Sequence, residues 1–182
     1  MARLRVVEEK DLAVIRRWRN HPSINHYMFT QTKVTESDHL TWFLESREDP
    51  FKFLFVYQEA GDTKGFLQLQ KQSEDSDVYE WGFYTSPNAT AGLGTRMANL
   101  LFDKLFMEMN ASKLFGEVLS FNQPSIRFHK KLGFSQEGLL RAHHCLKDQS
   151  HDVYCFGLLK SEYLINRSKA DSEKEQAVFN KS

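Results

Sequence analysis

The sequence predicts an α+β domain built around one mixed sheet, and three features of the chain lead to this prediction. Strand-like and helix-like segments follow one another in the order β-α-α-β-β-β-α-β-α-β-β. A glycine-containing segment, residues 89–95, opens a predicted helix, where free backbone amides can hold a phosphate. A polar turn, a short helix and a glycine stop follow the next predicted strand, over residues 122–134.

The composition fits a single globular domain and excludes several classes of partner. Of the 182 residues, 41% are hydrophobic and 15 are Phe, enough for a substantial core. The 24 basic residues balance 24 acidic ones, so no overall charge attracts the chain to nucleic acid or to an anionic membrane. We see no signal peptide and no membrane-spanning stretch, and therefore expect a cytoplasmic protein with Cys145 and Cys155 reduced.

The first half of the chain predicts a strand, two helices and then three consecutive strands. Asp11 is expected to cap the first helix, and Thr35 precedes the second. A Gly61-Asp62 turn joins two of the strands as a hairpin. Apolar and aromatic density predicts strands at residues 4–7, 51–57, 65–70 and 78–84.

The second half predicts a strand–helix–strand unit, a short helix and a final hairpin. A helix from Gly94 to Met109 carries its apolar residues on one face, and Gly133 ends the shorter helix. The remaining strands are predicted at residues 114–120, 140–146 and 153–159. The crossover through the long helix should be right-handed. We expect the domain to span residues 1–165 and the polar tail, residues 166–182, to be mostly disordered.

The glycine segment is a weak signal when taken alone. Gly92 and Gly94 permit close backbone approach, and a helix N-terminus attracts negative charge. Met97 stands where a dinucleotide-binding fingerprint would have its third glycine, and the Gly-Lys-Ser/Thr of a triphosphate loop is missing. A tight strand-to-helix turn without a ligand explains the segment equally well.

The second motif favours a cofactor site over a turn without a ligand. Asn122-x-x-Ser125-x-x-Phe128-His129-Lys-Lys-Leu-Gly133-Phe134 resembles the closing motif of the GCN5-related N-acetyltransferase (GNAT) superfamily. The glycine segment resembles the pyrophosphate motif of that family, and the strand order agrees over residues 3–163. The resemblance implies a mixed, mostly antiparallel sheet of about seven strands, flanked by helices and splayed around an acetyl-CoA cleft.

The resemblance also implies a cofactor site without a metal. Acetyl-CoA would be the co-substrate, with its pantetheine arm along the strand edge and its pyrophosphate at the glycine loop. The residues expected to bind it are Phe83, Tyr84, Thr85, Ala91, Gly92, Leu93, Gly94, Thr95, Asn122, Ser125 and Phe128.

Two positions carry the expected chemistry. Amine attack on a thioester needs a proton acceptor, and release of the thiol is assisted by a proton donor. By family resemblance Glu80 would accept the amine proton, and His129 stands where many members have a Tyr proposed to protonate the thiolate. An exposed strand glutamate and a solvent-facing histidine are the alternatives. Ala89 replaces the usual Gln or Arg, so phosphate binding would rest on backbone amides.

The polar and aromatic segment from Arg17 to Met28 indicates which substrate accepts the acetyl group. It resembles the branch of the superfamily that acts in pseudaminic acid biosynthesis, on the way to flagellin and other surface glycans. Those enzymes acetylate the 4-amino group of a UDP-linked 4-amino-4,6-dideoxy sugar. A capped helix with a solvated arginine face is the alternative. The residues expected near a nucleotide-sugar pocket are Arg17, Arg19, Asn20, His21 and His39.

Other interpretations remain open. The last predicted hairpin also resembles that of ribosomal-protein alanine acetyltransferases, which modify protein N-termini, and a non-catalytic acyl-CoA-binding module would tolerate Ala89 and His129. Histidines and cysteines at 143–155 lack the spacing of a zinc site, so we expect no metal. A homodimer through a strand edge or the last hairpin is compatible with the family resemblance.

Overall fold

The computed structural model describes residues 1–179, and they form one seven-stranded sheet with helices on both faces. The strand order is β1-β2-β3-β4-β5-β7-β6, and every neighbouring pair is antiparallel except β4 and β5. The predicted α+β class and the mostly antiparallel sheet are therefore confirmed. The strands are β1 (Ala2–Val6), β2 (Lys52–Glu59), β3 (Asp62–Lys71), β4 (Val78–Thr85), β5 (Lys113–Leu119), β6 (Ser135–Leu146) and β7 (Gln149–Leu159).

The helices agree with the predicted order and add three elements to it. The additions are a 3-10 turn at Glu9–Asp11, the four-residue α2, which begins at Pro22, and the long α6 at the C-terminal side. The predicted helix that ends at Met109 divides into α4 and a π-helix, Lys104–Glu108. The helices are α1 (Leu12–Arg19), α2 (Pro22–Asn25), α3 (Glu36–Glu48), α4 (Leu93–Asp103), α5 (Gln123–Lys131) and α6 (Lys160–Phe179).

The helices α3 and α1 begin in different ways. The Thr35 hydroxyl accepts from the Asp38 amide at 3.1 Å and so starts α3. Asp11, which we expected to cap α1 with its side chain, instead receives two 2.7 Å hydrogen bonds from the Arg5 guanidinium. This pairing ties the start of α1 to β1, and the Arg5 partner keeps the pKa of the buried Asp11 carboxyl below its usual range despite the opposing effect of burial.

The sheet separates two hydrophobic cores. Alternate residues of a strand face opposite sides, so Phe55 and Tyr57 of β2 join one core while Leu54 and Val56 join the other. The larger core packs α4 and its π-helix against the sheet, and Tyr163 of α6 lies on it. The smaller core packs α1 and α3 on the opposite face. The central strands are therefore packed on both faces.

The segment after residue 165 begins as part of α6, which continues through residue 179. The Tyr163 hydroxyl donates to Asp103 at 2.5 Å, and Arg167 contacts the same carboxylate at 2.6 Å. The start of the predicted disordered tail is thus held against α4. Residues 180–182 lie outside the described part of the chain. None of the helices within residues 1–179 is long and apolar enough to cross a bilayer.

Candidate active site

The main cleft lies where two parallel strands separate. β4 pairs with β5 only from Val78 to Glu80, and beyond Glu80 the two strands diverge. The cavity between them has a volume of about 740 Å³. Its walls come from the far end of β4, the loop before α4, the start of α5 and the loop after α2. A strand with a free edge beside a cleft can pair with an extended ligand.

The glycine loop forms one end of this cleft. Gly92 has φ +80°, a conformation that a residue with a Cβ adopts only with strain, and it forms the N-cap of α4. A Cβ on Gly94 would lie 3.3 Å from the Phe128 ring, so the glycine lets α5 approach α4 closely. The Leu93 amide donates to the Thr90 carbonyl at 3.2 Å, so the amides of Gly94 and Thr95 are the ones at this helix N-terminus that can bind an anion. Ala89 and Thr90 also line the cleft.

The start of α5 forms the neighbouring wall. Asn122 caps this helix, since its side-chain oxygen accepts from the Ser125 amide at 3.2 Å. The Phe128 and Phe83 rings lie 5.3 Å apart and make the wall apolar. Most of the predicted cofactor residues therefore line one cavity. Leu93 instead is 2% exposed in the larger core, and Ala91 is exposed beside the loop. Those that line the cleft are Phe83, Tyr84, Thr85, Gly92, Gly94, Thr95, Asn122, Ser125 and Phe128.

His129 lies deeper in the cleft wall than the sequence indicated. Its side chain is only 2% exposed and stacks on Phe156, with ring centroids 5.0 Å apart. The Trp81 indole N–H donates to His129 Nε2 at 3.2 Å, and His129 Nδ1 lies 2.8 Å from the Ser125 carbonyl oxygen. Because an indole can only donate, Nε2 must be the acceptor and the proton must be on Nδ1.

This arrangement occupies both ring nitrogens of His129. Burial lowers the pKa of His129 to about 4, and the hydrogen bond to Ser125 only partly opposes this effect. The imidazole is thus neutral at pH 7, and its single proton is held by the Ser125 carbonyl. In this geometry His129 has no proton to give to a leaving thiolate, and nothing in the contacts supports the acid role that the motif suggested.

Trp81 occupies the point at which β4 and β5 part. Its indole lies across β5 at Gly116, where a Cβ would come within 2.7 Å of the indole nitrogen and 3.1 Å of His129 Nε2. Trp81 is buried and also stacks on Phe134 at 5.4 Å. The pair of Trp81 and His129 therefore fills the gap between the diverging strands with a rigid, hydrogen-bonded block.

Two carboxylates face the cleft above this block. Glu80 lies at the last paired position of β4, and Glu117 lies two residues beyond its partner Phe115 on β5, on the same face. Partial desolvation in the cleft, followed by the like charge of Glu117, raises the pKa of Glu80 above its usual range. A carboxylate with a raised pKa is a suitable proton acceptor for an amine.

Glu117 was missed by the sequence reasoning. The signal for it was available in part, because the predicted strand–helix–strand unit places β4 beside a parallel strand. Finding Glu117 also requires the register between these strands, and no local pattern states which residue of β5 is opposite Glu80.

A smaller side cavity of about 240 Å³ lies next to the main cleft and shares part of its lining. His39 of α3 lines it, is 5% exposed and stacks on Trp42 with ring centroids 5.0 Å apart. Burial, together with the charges of Arg16 and Arg19, lowers the pKa of His39. Arg19, Met28, Gln68, Gly82, Phe83 and Tyr84 line both cavities, and Phe66 completes the smaller one.

The predicted substrate residues divide into two groups. Arg19 and His39 reach the cavities, as described above. Asn20 makes two 2.8 Å hydrogen bonds with the backbone of Val34 and so holds a loop in place. His21 caps α2 through Ser23, and Arg17 is exposed on α1; neither lines the two cavities.

The loop after α2 covers the side of the cleft next to the smaller cavity. Tyr27, Met28, Phe29 and Thr30 line the cavity from above. His144 of β6 holds this loop, since its Nε2 lies 2.8 Å from the Phe29 carbonyl oxygen. Arg19 also donates to the Thr30 carbonyl. The cleft is therefore closed by parts of the chain that are far apart in sequence.

The described residues form no cluster of metal-ligating side chains. Among residues 1–179, no three His, Cys, Asp or Glu side chains converge in a way that could hold a metal ion. Cys145 and Cys155 are both free thiols. The expectation of a metal-free site stays a prediction.

Comparison with known proteins gives the family. Residues 4–154 match the family model described as acetyltransferase (GNAT) domain. The SPβ prophage-derived uncharacterized N-acetyltransferase YokL of Bacillus subtilis is 31% identical over 129 residues, which cover 69% of this chain and 71% of YokL. The spermidine N(1)-acetyltransferase of Escherichia coli K12 is 26% identical, with 89% and 88% covered.

A more distant relative and a solved structure extend this comparison. Acetyltransferase PseH of Campylobacter jejuni is 24% identical, over 86% of this chain and 90% of PseH. The crystal structure of spermidine N-acetyltransferase from Vibrio cholerae, in complex with CoA and spermine, superposes with a TM-score of 0.83. It is 22% identical, with 90% of this chain and 98% of that chain covered, and this likeness shows a common fold.

Proposed function

The chain belongs to the GNAT acetyltransferase family and is an acetyl-CoA-dependent N-acetyltransferase, and we propose that its acceptor is the 4-amino group of a UDP-linked 4-amino-4,6-dideoxy sugar. The observation that carries the proposed reaction is the divergence of β4 and β5. It places the carboxylates of Glu80 and Glu117 on the same cleft as the N-terminus of α4.

The cofactor would lie along the free edge of β4. Its pyrophosphate would bind the amides at Gly92 and Gly94, and its pantetheine arm would pair with the backbone between Phe83 and Thr85. Phe83 and Phe128 supply an apolar wall for the arm. These residues would bind and orient the thioester so that its carbonyl carbon faces the side of the cleft next to the smaller cavity, which we call the acceptor side.

The chemistry then needs one proton acceptor and one site for an oxyanion. The neutral amine attacks the thioester carbonyl carbon, a C–N bond forms, and Glu80 takes the amine proton, directly or through water. A backbone amide of β4 beyond Glu80 would hold the developing oxyanion. The C–S bond breaks and coenzyme A leaves as the thiolate. In the geometry described, the proton that converts this thiolate to the thiol does not come from His129. We infer that His129 positions Trp81 instead.

Two observations of different kinds support a nucleotide sugar as the acceptor. The segment from Arg17 to Met28 resembles enzymes that act on such a sugar, and part of that segment lines the cleft. Arg19 supplies a positive charge on the acceptor side, which suits a diphosphate. A spermidine acceptor is the second candidate. It is favoured by the similarity of the chain to the spermidine N(1)-acetyltransferase of Escherichia coli and by the negative charges of Glu80 and Glu117.

The deciding experiment compares three acceptors with purified protein and acetyl-CoA. We expect coenzyme A release with the UDP-4-amino sugar at a kcat/KM at least about tenfold above that with spermidine or an alanine-starting peptide. Product should be quantified by mass spectrometry, because the exposed thiol of Cys145 reacts with thiol reagents. Greater turnover of spermidine or of the peptide would replace the proposed acceptor, and tight acetyl-CoA binding without any turnover would indicate a binding module.

A further inference from the structure

Arg19 is a half-buried cation without an acidic partner. None of the ion pairs in the described part of the chain includes it, whereas Arg5, Arg16 and Arg96 each pair with a carboxylate. Its guanidinium instead contacts two neutral acceptors, the Thr30 carbonyl and, at 2.9 Å, the side-chain oxygen of Asn25 in the amide orientation that satisfies its neighbours, and burial lowers its pKa. Removing a charge from water without an opposite charge is costly, so this site is electrostatically incomplete.

The side cavity next to Arg19 has no negative charge of its own. Its polar groups are those of Arg19, His39 and Gln68, the Tyr84 hydroxyl and the Trp42 indole N–H, and the rest of the lining is apolar aromatic, thioether or glycine. No carboxylate of residues 1–179 lines it. His39 Nδ1 is buried and has no hydrogen-bond partner, a further sign that polar groups there are not satisfied by the protein.

The main cleft has the opposite charge on the side near β5. Glu80 and Glu117 lie there, and the pKa of Glu80 is raised by desolvation and by Glu117. The acceptor region is thus polarised, with carboxylates where the amine must react and a lone guanidinium in the side cavity. A polyamine would place a second ammonium group near Arg19, where both like charge and desolvation oppose it.

We propose that the side cavity lined by Arg19, His39 and Trp42 is the specificity pocket for the acceptor, that it takes an anionic oxygen group, carboxylate or phosphate, and that it excludes polyamines. This assignment rests on the proposed function, since it assumes that the amine reacts at Glu80. Trp42, Phe66 and Tyr84 supply flat apolar surfaces around the anion site. The Arg19 fork supplies charge-assisted hydrogen bonds to it.

The test uses four amines that differ only in the distal group. The panel is 4-aminobutyrate, 3-aminopropyl phosphate, 4-aminobutanamide and 1,4-diaminobutane, each assayed for acetylation by the full-length protein. We expect the two anions to exceed the amide, and the amide to exceed the diamine, in kcat/KM. The two anionic acceptors separate carboxylate from phosphate recognition. A diamine that is acetylated as well as the anions overturns the pocket assignment.

Two variants of Arg19 test whether this residue causes the preference for anionic amines. Arg19→Gln should lower the ratio of kcat/KM for the anionic amines to kcat/KM for the amide by about 10- to 100-fold, as expected for loss of charge-assisted hydrogen bonds. Loss of the contact with the Thr30 carbonyl affects all four amines alike and leaves this ratio unchanged. Arg19→Lys should restore part of the preference. Arg47→Gln removes an exposed charge from α3, which also carries His39, and is the matched control. An equal loss for all four amines with Arg19→Gln contradicts a specificity role.

A binding measurement separates this inference from the proposed function, because it needs no turnover. With coenzyme A saturating, 3-aminopropyl phosphate should shift the indole N–H resonance of Trp42 in ¹⁵N-labelled protein, and Arg19→Gln should remove the shift. The diamine should leave Trp42 unshifted. Shifts with both ligands, or shifts that persist in Arg19→Gln, overturn the pocket whether or not any amine is acetylated.

Discussion

At the scale of residues, the two groups singled out for proton transfer have very different surroundings. Glu80 faces the cleft next to a second carboxylate, and its pKa is raised by desolvation and by Glu117. His129 is enclosed by aromatic rings and bonded at both nitrogens. The neighbours of each side chain, more than its residue type, therefore decide which of them can exchange a proton with the substrate.

The carboxylate pair makes a kinetic prediction. Glu80→Gln should lower kcat by roughly 10²- to 10⁴-fold, because the amine loses its proton acceptor. Glu117→Gln should keep most activity but move the acidic limb of the kcat–pH profile to lower pH, since it removes the like charge that raises the pKa of Glu80. Glu74→Gln, an exposed control between β3 and β4, should leave the profile unchanged. If Glu117→Gln leaves the kcat–pH profile unchanged, as the control does, the two carboxylates are not coupled.

Residues with strong local signals could be identified from the sequence. The turn at Gly92 and the start of the helix after Thr35 depend on neighbours within a few positions, and the structure shows both. The cap expected at Asp11 is not formed, because that side chain pairs with Arg5 of β1. The surroundings of His129 could not be identified in this way. They depend on Trp81, 48 residues away, whose indole reaches it only after the sheet has formed.

At the scale of elements, the cleft depends on the divergence of β4 and β5. The sequence predicted both strands and the helix between them, but it did not predict the point where they separate, because register and divergence depend on packing between strands. The same limitation applies to the π-helix after α4 and to the four-residue α2, which have no distinctive periodic pattern.

Gly116 tests whether Trp81 and His129 hold the strands apart. Gly116→Ala places a Cβ 2.7 Å from the indole nitrogen and 3.1 Å from the imidazole, and both rings are packed on all sides. We expect the free energy of unfolding in urea to fall by about 1–3 kcal/mol, and coenzyme A affinity measured by calorimetry to fall with it. Gly138→Ala is the matched control, because its nearest contact would be an ordinary 3.9 Å to Cys155. Equal stability of the two variants would show that the block can move freely.

At the scale of the whole molecule, burial of His129 makes stability depend on pH. Its pKa is about 4 in the folded protein, below the ordinary value of 6.5, so the unfolded chain binds the additional proton between these values. The stabilising contribution is therefore complete above about pH 6.5 and is lost as the pH falls toward 4. For a shift of this size the contribution is about 3 kcal/mol.

Urea denaturation at several pH values between 4.5 and 7 measures this contribution. The wild-type protein should lose more unfolding free energy over this range than His129→Phe, which has no group to protonate at this position. The variant should also be less stable at pH 7, because the buried Trp81 N–H loses its acceptor. His143→Gln changes an exposed histidine of β6 and should keep the wild-type pH dependence. Parallel curves for wild type and His129→Phe would contradict the argument.

The order of strands in the sheet also has a consequence for synthesis of the protein. β7, the last strand to leave the ribosome, lies between β5 and β6, and its hairpin partner β6 carries the His144 that holds the loop at Phe29, 115 residues earlier. A nascent chain that stops before β7 leaves one edge of β5 open and the cleft without its cover. Premature termination in this hairpin should therefore yield an aggregation-prone chain without an acceptor site, and not a weakly active enzyme.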